Sequence, residues 1–410
     1  MSEPFDVVVV GAGLAGACCA ALLARHARLD PARVALLAPE PPAAPTIAAP
    51  PELRVAAISR ASERVLRAAG AWQRLEPKRL APYERMRVWH ESSALASAAA
   101  LRFDAADIGE PNLGYIAEMS ALAYACIESF RASGGTLIPG ALERLSIDEA
   151  AAHLEASGRS LETRLVVGAD GGHSMVREAA ALSVRARDYR QLAIVATIST
   201  ERPHASTAWQ RFLHTGPLAL LPLFEGSSSI VWSLDAPVAQ EMLTCGAREF
   251  ETRLDAASAM ALGATRLSSA RASFPLRSVA AHCYVGPRCA LIGDAAHVIH
   301  PLAGQGANLG LLDAAALCEA VAAAPALRED LGALRVLRRY EQQRRTHNLA
   351  MDAAMSLFET GFAHARGPLG WLLNRGLSAV NGSGALKRAF ERQALGLTGE
   401  LPKLARSLAA

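Results

Sequence analysis

The stretch FDVVVVGAGLAG, Phe5 to Gly16, decides the fold. Phe5 to Val10 reads as a strand buried on both faces, because its apolar run has no alternation. Gly11, Gly13 and Gly16 follow, and an Ala/Leu-rich helix then runs to about Ala27. The spacing has a physical logic. Gly11 allows a tight turn, Gly13 lets a pyrophosphate approach the backbone, and Gly16 lets helix and strand pack closely. Phosphates sit well at such a helix N-terminus, where unpaired N–H groups and the helix dipole favour negative charge. VALLA (34–38) reads as the next strand, so the order strand, glycine turn, helix, strand is that of a dinucleotide-binding βαβ unit. This unit calls for an acid at the end of its second strand, to hold ribose hydroxyls. Ala38 stands there instead, and Glu40 is the candidate substitute; its plainer reading is a solvated loop carboxylate.

Working outward, the proline-rich segment 39–51 predicts a surface loop. Residues 59–72 predict a capped amphipathic helix and 120–133 another, while LETRLVVGADGG (161–172) reads as a strand running into a turn. Between 188 and 235 short β-branched or alternating runs are split by Gly, Pro and Ser, which argues a mostly antiparallel sheet. CALIGDAAH (289–297) is a strand into a loop, a long helix starts near Asn308, and from about Leu334 the chain is mainly helical. The expected fold is α/β: a Rossmann-like nucleotide-binding domain, an inserted mostly antiparallel β-sheet domain for substrate, and a helical C-terminal region. Nucleotide-binding parts are expected at 1–75, 101–182 and 275–333, substrate-domain parts at 76–100 and 183–274, and the helical region at 334–410.

Length and composition agree with a large buried core. The chain has 410 residues, 51% hydrophobic and 20% charged, which excludes disordered and fibrous classes. Lys+Arg 42 against Asp+Glu 39 leaves +3, too balanced to suggest nucleic-acid binding. The 7 cysteines form no CxxC pair and no zinc spacing, so free thiols in a reducing compartment are expected, and no metal site. The N-terminus reads as a strand, without the basic region of a signal peptide, and the sequence has no run of about 18 apolar residues to suggest a spanning helix.

Two further turns carry chemistry. Gly168-Ala169-Asp170-Gly171-Gly172-His173-Ser174, followed by Arg177, is one, and Gly293-Asp294-Ala295-Ala296-His297 is the other. Pro301 to Gly310 (PLAGQGANLG) comes next. An Asp at a strand end can accept hydrogen bonds from sugar-like hydroxyls, and a GQGAN loop ahead of a helix can aim backbone N–H groups at an anion.

Together the glycine loop, GADGGHSMVR and GDAAHVIHPLAGQGANLGLLDA resemble the FAD-dependent aromatic hydroxylases of the p-hydroxybenzoate-hydroxylase fold. A finer resemblance, to the ubiquinone-biosynthesis branch, runs nearly end to end. It is carried by LRVAAIS (53–59), YERMRVW (83–89), NLGYIAEM (112–119), DYRQLAIVATISTERPH (188–204), AWQRFLHTGPLALLPL (208–223), SIVWSL (229–234), RRYEQQRRTHNLAMDAAMSLF (338–358) and LGLTGELPKLA (395–405). Ala38, His90 and Met119 depart from the family's pattern.

The resemblance implies FAD as cofactor and NADPH or NADH as co-substrate. It implies cofactor-binding roles for Gly11, Gly13, Gly16, Glu40, Arg54, Asp170, Gly171, Asp294, Ala295, Pro301, Gly304, Gln305, Gly306, Ala307 and Asn308. Asp294 would hold the FAD ribitol, Asp170 would lie near the FAD and the nicotinamide path, and 301–308 would wrap the flavin ring. The implied reaction hydroxylates the ring of a prenylated phenol or quinol intermediate of ubiquinone biosynthesis with dioxygen, through a flavin hydroperoxide. Arg54, His300 and Pro301 are the implied catalytic residues. His300 and His297 are of the type that moves a proton near neutral pH, with local hydrogen bonding the plainer reading for His297. Phe212, Leu220, Leu221, Pro222 and Trp232 offer apolar walls or ordinary core. A flavin-fold scaffold without turnover, or a hydroxylase of a soluble phenolic, are the competing readings.

A C-terminal apolar stripe (Phe358, Phe362, Trp371, Leu372, Leu373, Leu377) has Arg366, Arg375, Lys387, Arg388 and Arg392 nearby. It suits a membrane-surface helix, or docking on the chain's own core or on subunits of a ubiquinone-biosynthesis complex. The expected location is cytoplasmic, with peripheral contact to the inner membrane.

Overall fold

A computed structural model describes residues 3–97, 100–299, 305–324, 329–363 and 400–406, with backbone alone for 352–363. The chain opens with β1 (Glu3–Val10), α1 (Leu14–His26) and β2 (Val34–Ala38). Then come β3 (Val55–Ser59), α2 (Arg60–Ala68), β4 (Ala81–Tyr83), β5 (Arg85–His90), β6 (Leu101–Asp104), β7 (Gly114–Glu118) and α3 (Met119–Ala132). Next are β8 (Thr136–Pro139), β9 (Leu142–Ile147), β10 (Ala152–Ala156), β11 (Arg159–Gly168) and α4 (Met175–Ala179). They are followed by β12 (Val184–Thr200), β13 (Thr207–Leu213), β14 (Gly216–Pro222), β15 (Ser228–Asp235), α5 (Ala236–Thr244), α6 (Ala247–Ser258), β16 (Thr265–Leu267) and β17 (Ala272–Ala281). The last are β18 (Val285–Gly286), β19 (Cys289–Leu291), β20 (His297–Val298), α7 (Gly306–Ala323) and α8 (Leu334–Ala363).

The nucleotide-binding sheet runs β18-β19-β11-β1-β2-β8, with β1 parallel to both β11 and β2. Val7, Val8 and Val9 are fully buried because one core wraps the sheet and takes in α1, α3 and α7. The unbroken valine run therefore has the cause assigned to it in the sequence: both faces of a parallel strand are covered. A second sheet, β20-β17-β12-β15-β14-β13-β5-β6, is mostly antiparallel, with β13 parallel to β5. Alternate residues divide its two faces. Ile194, Ile198, Leu220, Ile230 and Trp232 pack with Phe250 and Leu254 of α6. Val88, Phe103, Ala208 and Phe212 pack with Tyr83 and Ile116 of a small third sheet, β3-β7-β4. The α/β architecture with an inserted, mostly antiparallel sheet is thus the one the sequence predicts.

The helix expected over 59–72 ends earlier. Ser59 caps α2 by accepting from Ser62 N at 3.3 Å, but Gly70, at φ 69°, turns the chain out after Ala68. Helix α7 has the length and apolar composition of a membrane span, yet its Leu311, Ala314, Ala315 and Leu317 are fully buried in the core. Cys18, Cys19, Cys126, Cys289 and Cys318 are buried free thiols, whereas Cys283 is exposed. Burial pushes the Cys19 and Cys289 thiols up to about 12. The C-terminal stripe from Arg366 to Arg392 lies outside the described residues, as do the side chains of Phe358 and Phe362.

Candidate functional site

Register brings the motifs together. Val10, the last residue of β1, pairs with Gly168 at the end of β11, and Gly168 pairs with Leu291 at the end of β19. The glycine loop, the Asp170 turn and the Asp294 turn therefore leave one edge of a parallel sheet side by side, where open α/β sheets place their ligands. Close approaches lock them. A Cβ on Gly11, whose φ is 107°, would lie 2.4 Å from Ala169 O. One on Gly16 would lie 2.0 Å from Gly11 O. Ala15 of α1 is the other meeting point: Cβ atoms on Gly293 and Gly310 would fall 3.0 and 3.1 Å from its own Cβ.

Gly13 behaves differently. A Cβ there would meet nothing within 4 Å, and Gly13 caps α1 with no side chain bonded to the first turn and no acid in it. Open backbone donors at a helix N-terminus are the physical fit for a pyrophosphate. Helix α7 starts the same way: the N-cap Gln305 accepts from Asn308 Nδ2 at 3.3 Å but bonds none of the first-turn backbone N–H groups, and a Cβ on Gly306 would meet nothing within 4 Å among the described residues. Ala307, the next residue, is half-buried. Glu40 is exposed in the bend after β2.

Asp170 is engaged by its own turn. Its carboxylate accepts from Ser174 Oγ at 2.5 Å and from Val176 N at 3.2 Å, and Gly171 turns at φ 85°. Arg177, buried beside it, donates to Gly172 O at 2.8 Å and to Ala295 O at 2.9 Å, tying the Asp170 turn to the Asp294 turn. Asp294 itself has no hydrogen bond to a described residue. Its carboxylate is reachable from solvent yet ringed by protein, and that crowding pushes its pKa up while the His297 and Arg54 charges act against it. An open acid of this kind matches the hydroxyls of a ribityl chain.

Arg54 is exposed just before β3 and close enough for its charge to act on Asp294. Asn308 pins β3 to the start of α7: its Oδ1 accepts from Ser59 N at 2.9 Å and its Nδ2 donates to Ala57 O at 2.8 Å. Its side chain is thus committed to protein, and its backbone lies in the uncapped first turn of α7. Arg79 holds the proline-rich loop ahead of Arg54 by donating to Ile47 O and Ala49 O at 2.9 and 2.8 Å, paired with buried Glu118 at 2.5 Å. His300, Pro301 and Gly304 lie outside the described residues. Of the expected apolar walls, Leu220 and Trp232 face the α6 core, whereas Phe212 and Leu221 face the side that carries Val55 and Ala57 of β3.

Sequence reasoning missed a buried cluster beneath the Asp294 turn. His297 Nε2 lies 2.5 Å from Asp313 Oδ2, and Arg344 Nε donates to Asp313 Oδ1 at 2.8 Å. Burial alone would raise the Asp313 carboxyl, but His297 and Arg344 overcome it and hold the carboxyl well below the usual carboxylate range. The sequence signal was that the cluster's members stand inside matched stretches, His297 in GDAAH, Asp313 in GANLGLLDA, and Arg344 and Asn348 in RRYEQQRRTHNLAMDAAMSLF, with nothing in them to say that they meet. No group of His, Cys, Asp and Glu among the described residues is arranged to hold a metal.

Comparison with known proteins agrees with this geometry. A family model described as an FAD binding domain matches residues 146–354. The chain is 35% identical to the 3-demethoxyubiquinol 3-hydroxylase of Escherichia coli K12, over 97% of this chain and 100% of that one. It is 37% identical to the ubiquinone hydroxylase UbiL of Rhodospirillum rubrum, over 98% and 93% of the two chains. It is 34% identical to the mitochondrial ubiquinone biosynthesis monooxygenase COQ6 of Mus musculus, over 93% and 89%. Among solved structures, the fold matches Pseudomonas aeruginosa PqsL in complex with 2-aminobenzoylacetate, at TM-score 0.73 and 23% identity over 93% and 100% of the chains. It also matches the p-nitrophenol 4-monooxygenase PnpA of Pseudomonas putida, at TM-score 0.74 and 19% identity over 97% and 99%.

Proposed function

The chain belongs to the FAD-dependent hydroxylases of ubiquinone biosynthesis, and from that premise we propose that it hydroxylates the aromatic ring of a prenylated phenol or quinol with NADPH or NADH and dioxygen. The observation that carries this reading is the Val10–Gly168–Leu291 register, which gathers the three turns at one sheet edge. FAD, when bound, supplies the hydride and oxygen chemistry; the protein supplies position, polarity and exclusion of water.

On this reading the open N-terminus of α1 at Gly13 holds the pyrophosphate, with Gly11 and Gly16 shaping the turn. Glu40 takes the adenosine ribose and Asp294 the ribityl hydroxyls. The N–H groups of Gln305 to Asn308, at the start of α7, would serve the pyrimidine edge, where negative charge gathers on reduction, and Gly304 is assigned to the same role from the sequence. Asp170 and Gly171 form a wall of the site, a role supported by the close approach of Ala169 and Asp170 to Gly11. Arg54, His300 and Pro301 are assigned to the reacting edge, with His300 moving the proton of the ring hydroxyl. The prenyl tail of the substrate supports a cytoplasmic protein working against the inner membrane, alone or with other subunits, through its C-terminal stripe.

The test is direct. The purified protein should bind FAD, and its NADPH or NADH oxidation should quicken with a demethoxyquinol. Strains blocked at each ring hydroxylation should show which step it restores, with the accumulating quinone identified by mass. A protein that stays colourless with excess FAD overturns the reading. A flavoprotein that rescues no strain removes the ubiquinone substrate and leaves a scaffold or a soluble phenol.

A further inference from the structure

The cofactor contacts assigned above leave the cluster beneath the Asp294 turn without a task. Asp313 on α7 and Arg344 on α8 are both fully buried, and Asn348 nearly so. Asp313 Oδ2 accepts from Gly293 N at 3.1 Å and lies 2.5 Å from His297 Nε2. Its Oδ1 accepts from Arg344 Nε at 2.8 Å and from Asn348 Nδ2 at 3.2 Å. A carboxylate has about four lone-pair sites, so this one is saturated. Arg344 is oriented in turn, because its Nη2 donates to Asn348 Oδ1 at 2.8 Å.

Well-packed apolar side chains of equal volume stabilise a core as well as a buried ion pair does. What the charges add is direction. One oxygen of Asp313 grips the turn on both sides of Asp294, at Gly293 and at His297; the other oxygen is gripped by α8. Ala295 O, inside the same turn, is held from the opposite side by Arg177 at 2.9 Å.

Resting on the flavin reading, we propose that Asp313, oriented by Arg344 and Asn348, is a positioning residue that fixes the Asp294 turn for the cofactor and makes α8 part of the flavin site. It touches neither FAD nor substrate. It acts through the Gly293 N–H and the His297 ring, so it sets where the Asp294 carboxylate stands.

The experiment compares wild type with Asn348→Ala, Arg344→Lys and Asp313→Asn. It reads FAD affinity by titrating apoprotein, the absorption spectrum and midpoint potential of bound flavin, and thermal unfolding of the apoprotein. Hydrogen bonds to charged groups set the scale, so Asp313→Asn should weaken FAD by about 10–100-fold and shift the bound flavin's spectrum and potential. Asn348→Ala, which keeps both charges but leaves the buried Arg344 Nη2 without its partner, should weaken FAD by about 3–10-fold, and the spectrum and potential of the bound flavin are its deciding readouts rather than apoprotein unfolding. Arg344→Lys should shift FAD affinity less than Asp313→Asn. If Asp313→Asn fails to fold, Asn348→Ala decides. Variants that lose apoprotein stability while FAD affinity, spectrum and potential stay at wild-type values overturn the positioning role and leave a structural one. A wild-type protein that binds no FAD overturns the flavin reading, and this proposal with it; a yellow wild type with indifferent variants overturns this proposal alone.

Discussion

The turns around Asp170 and Asp294 look alike in sequence and are used in opposite ways. Each places an acid in a glycine turn at the end of a parallel strand, and the two strands are neighbours in register. Asp170 is consumed by its surroundings, because α4 begins five residues later and its first-turn Val176 N–H needs an acceptor. After Asp294 comes a strand instead. Its backbone pairs with β17, Ala280 opposite His297, so no free donor draws the carboxylate in. The next element decides whether an acid builds its turn or is left for a ligand. The glycine loop repeats the contrast, with Gly16 pressed against Gly11 O and Gly13 facing open space.

The sharpest way to break this contrast is at the two glycines. Gly16→Ala puts a Cβ 2.0 Å from a backbone oxygen and should abolish soluble, folded protein. Gly13→Ala, at φ −64°, should leave the apoprotein's unfolding midpoint unmoved and weaken FAD binding. Equal damage to the fold from both substitutions would show that the distinction between packed and open glycine is wrong.

The acids come next. Asp294→Asn should weaken FAD by about 10–100-fold, the worth of charge-assisted hydrogen bonds to hydroxyls. Asp170→Ala should instead cost about 1 kcal/mol of stability, as the loss of a capping acceptor does, with FAD affinity within about threefold of wild type. Reversal of that order in a flavin titration would invert the assignment of the two turns.

A pH series on the apoprotein sharpens the comparison further. The raised pKa of Asp294 means that the folded state holds a proton the unfolded chain releases above about pH 3.9. Its contribution to stability therefore falls as pH rises through the folded pKa, and Asp294→Asn should remove that fall. Asp313 has the opposite sign. Its depressed carboxyl contributes stability above about pH 3.9 that is lost on acidification, and Asp313→Asn should flatten the acid limb of urea midpoint against pH. Unchanged curves for both variants would show that neither carboxyl is shifted.

The smallest effect is expected at Glu40. It is exposed, so Glu40→Gln should change FAD affinity by about fivefold or less. A larger loss would mean that the bend after β2 closes on the ribose.

What the sequence showed was local in chain distance. A continuous apolar run, a glycine turn and a helix start each lie within a dozen residues, and periodicity and turn chemistry read them directly. The missing parts join distant residues. Asn308 pins a strand 249 residues away, and Asp313 meets Arg344 across 31. Arg79 and Glu118 are 39 apart. Nothing in the local pattern of these polar residues distinguishes a buried partner from a solvated one. The Asn308 side chain is engaged with β3 and with Gln305, which leaves its backbone for the cofactor role its motif implies.

The buried cysteines have a consequence for durability. Oxidants attack thiolates, and the thiols at Cys18, Cys19, Cys289 and Cys318 have raised pKa values and are shut away from solvent. Enzymes that reduce dioxygen shed stray oxidant when turnover misfires. Among the cysteines Cys283 is the exposed one, so stray oxidant is expected to reach its sulfhydryl first and the thiols packed behind the nucleotide cradle last.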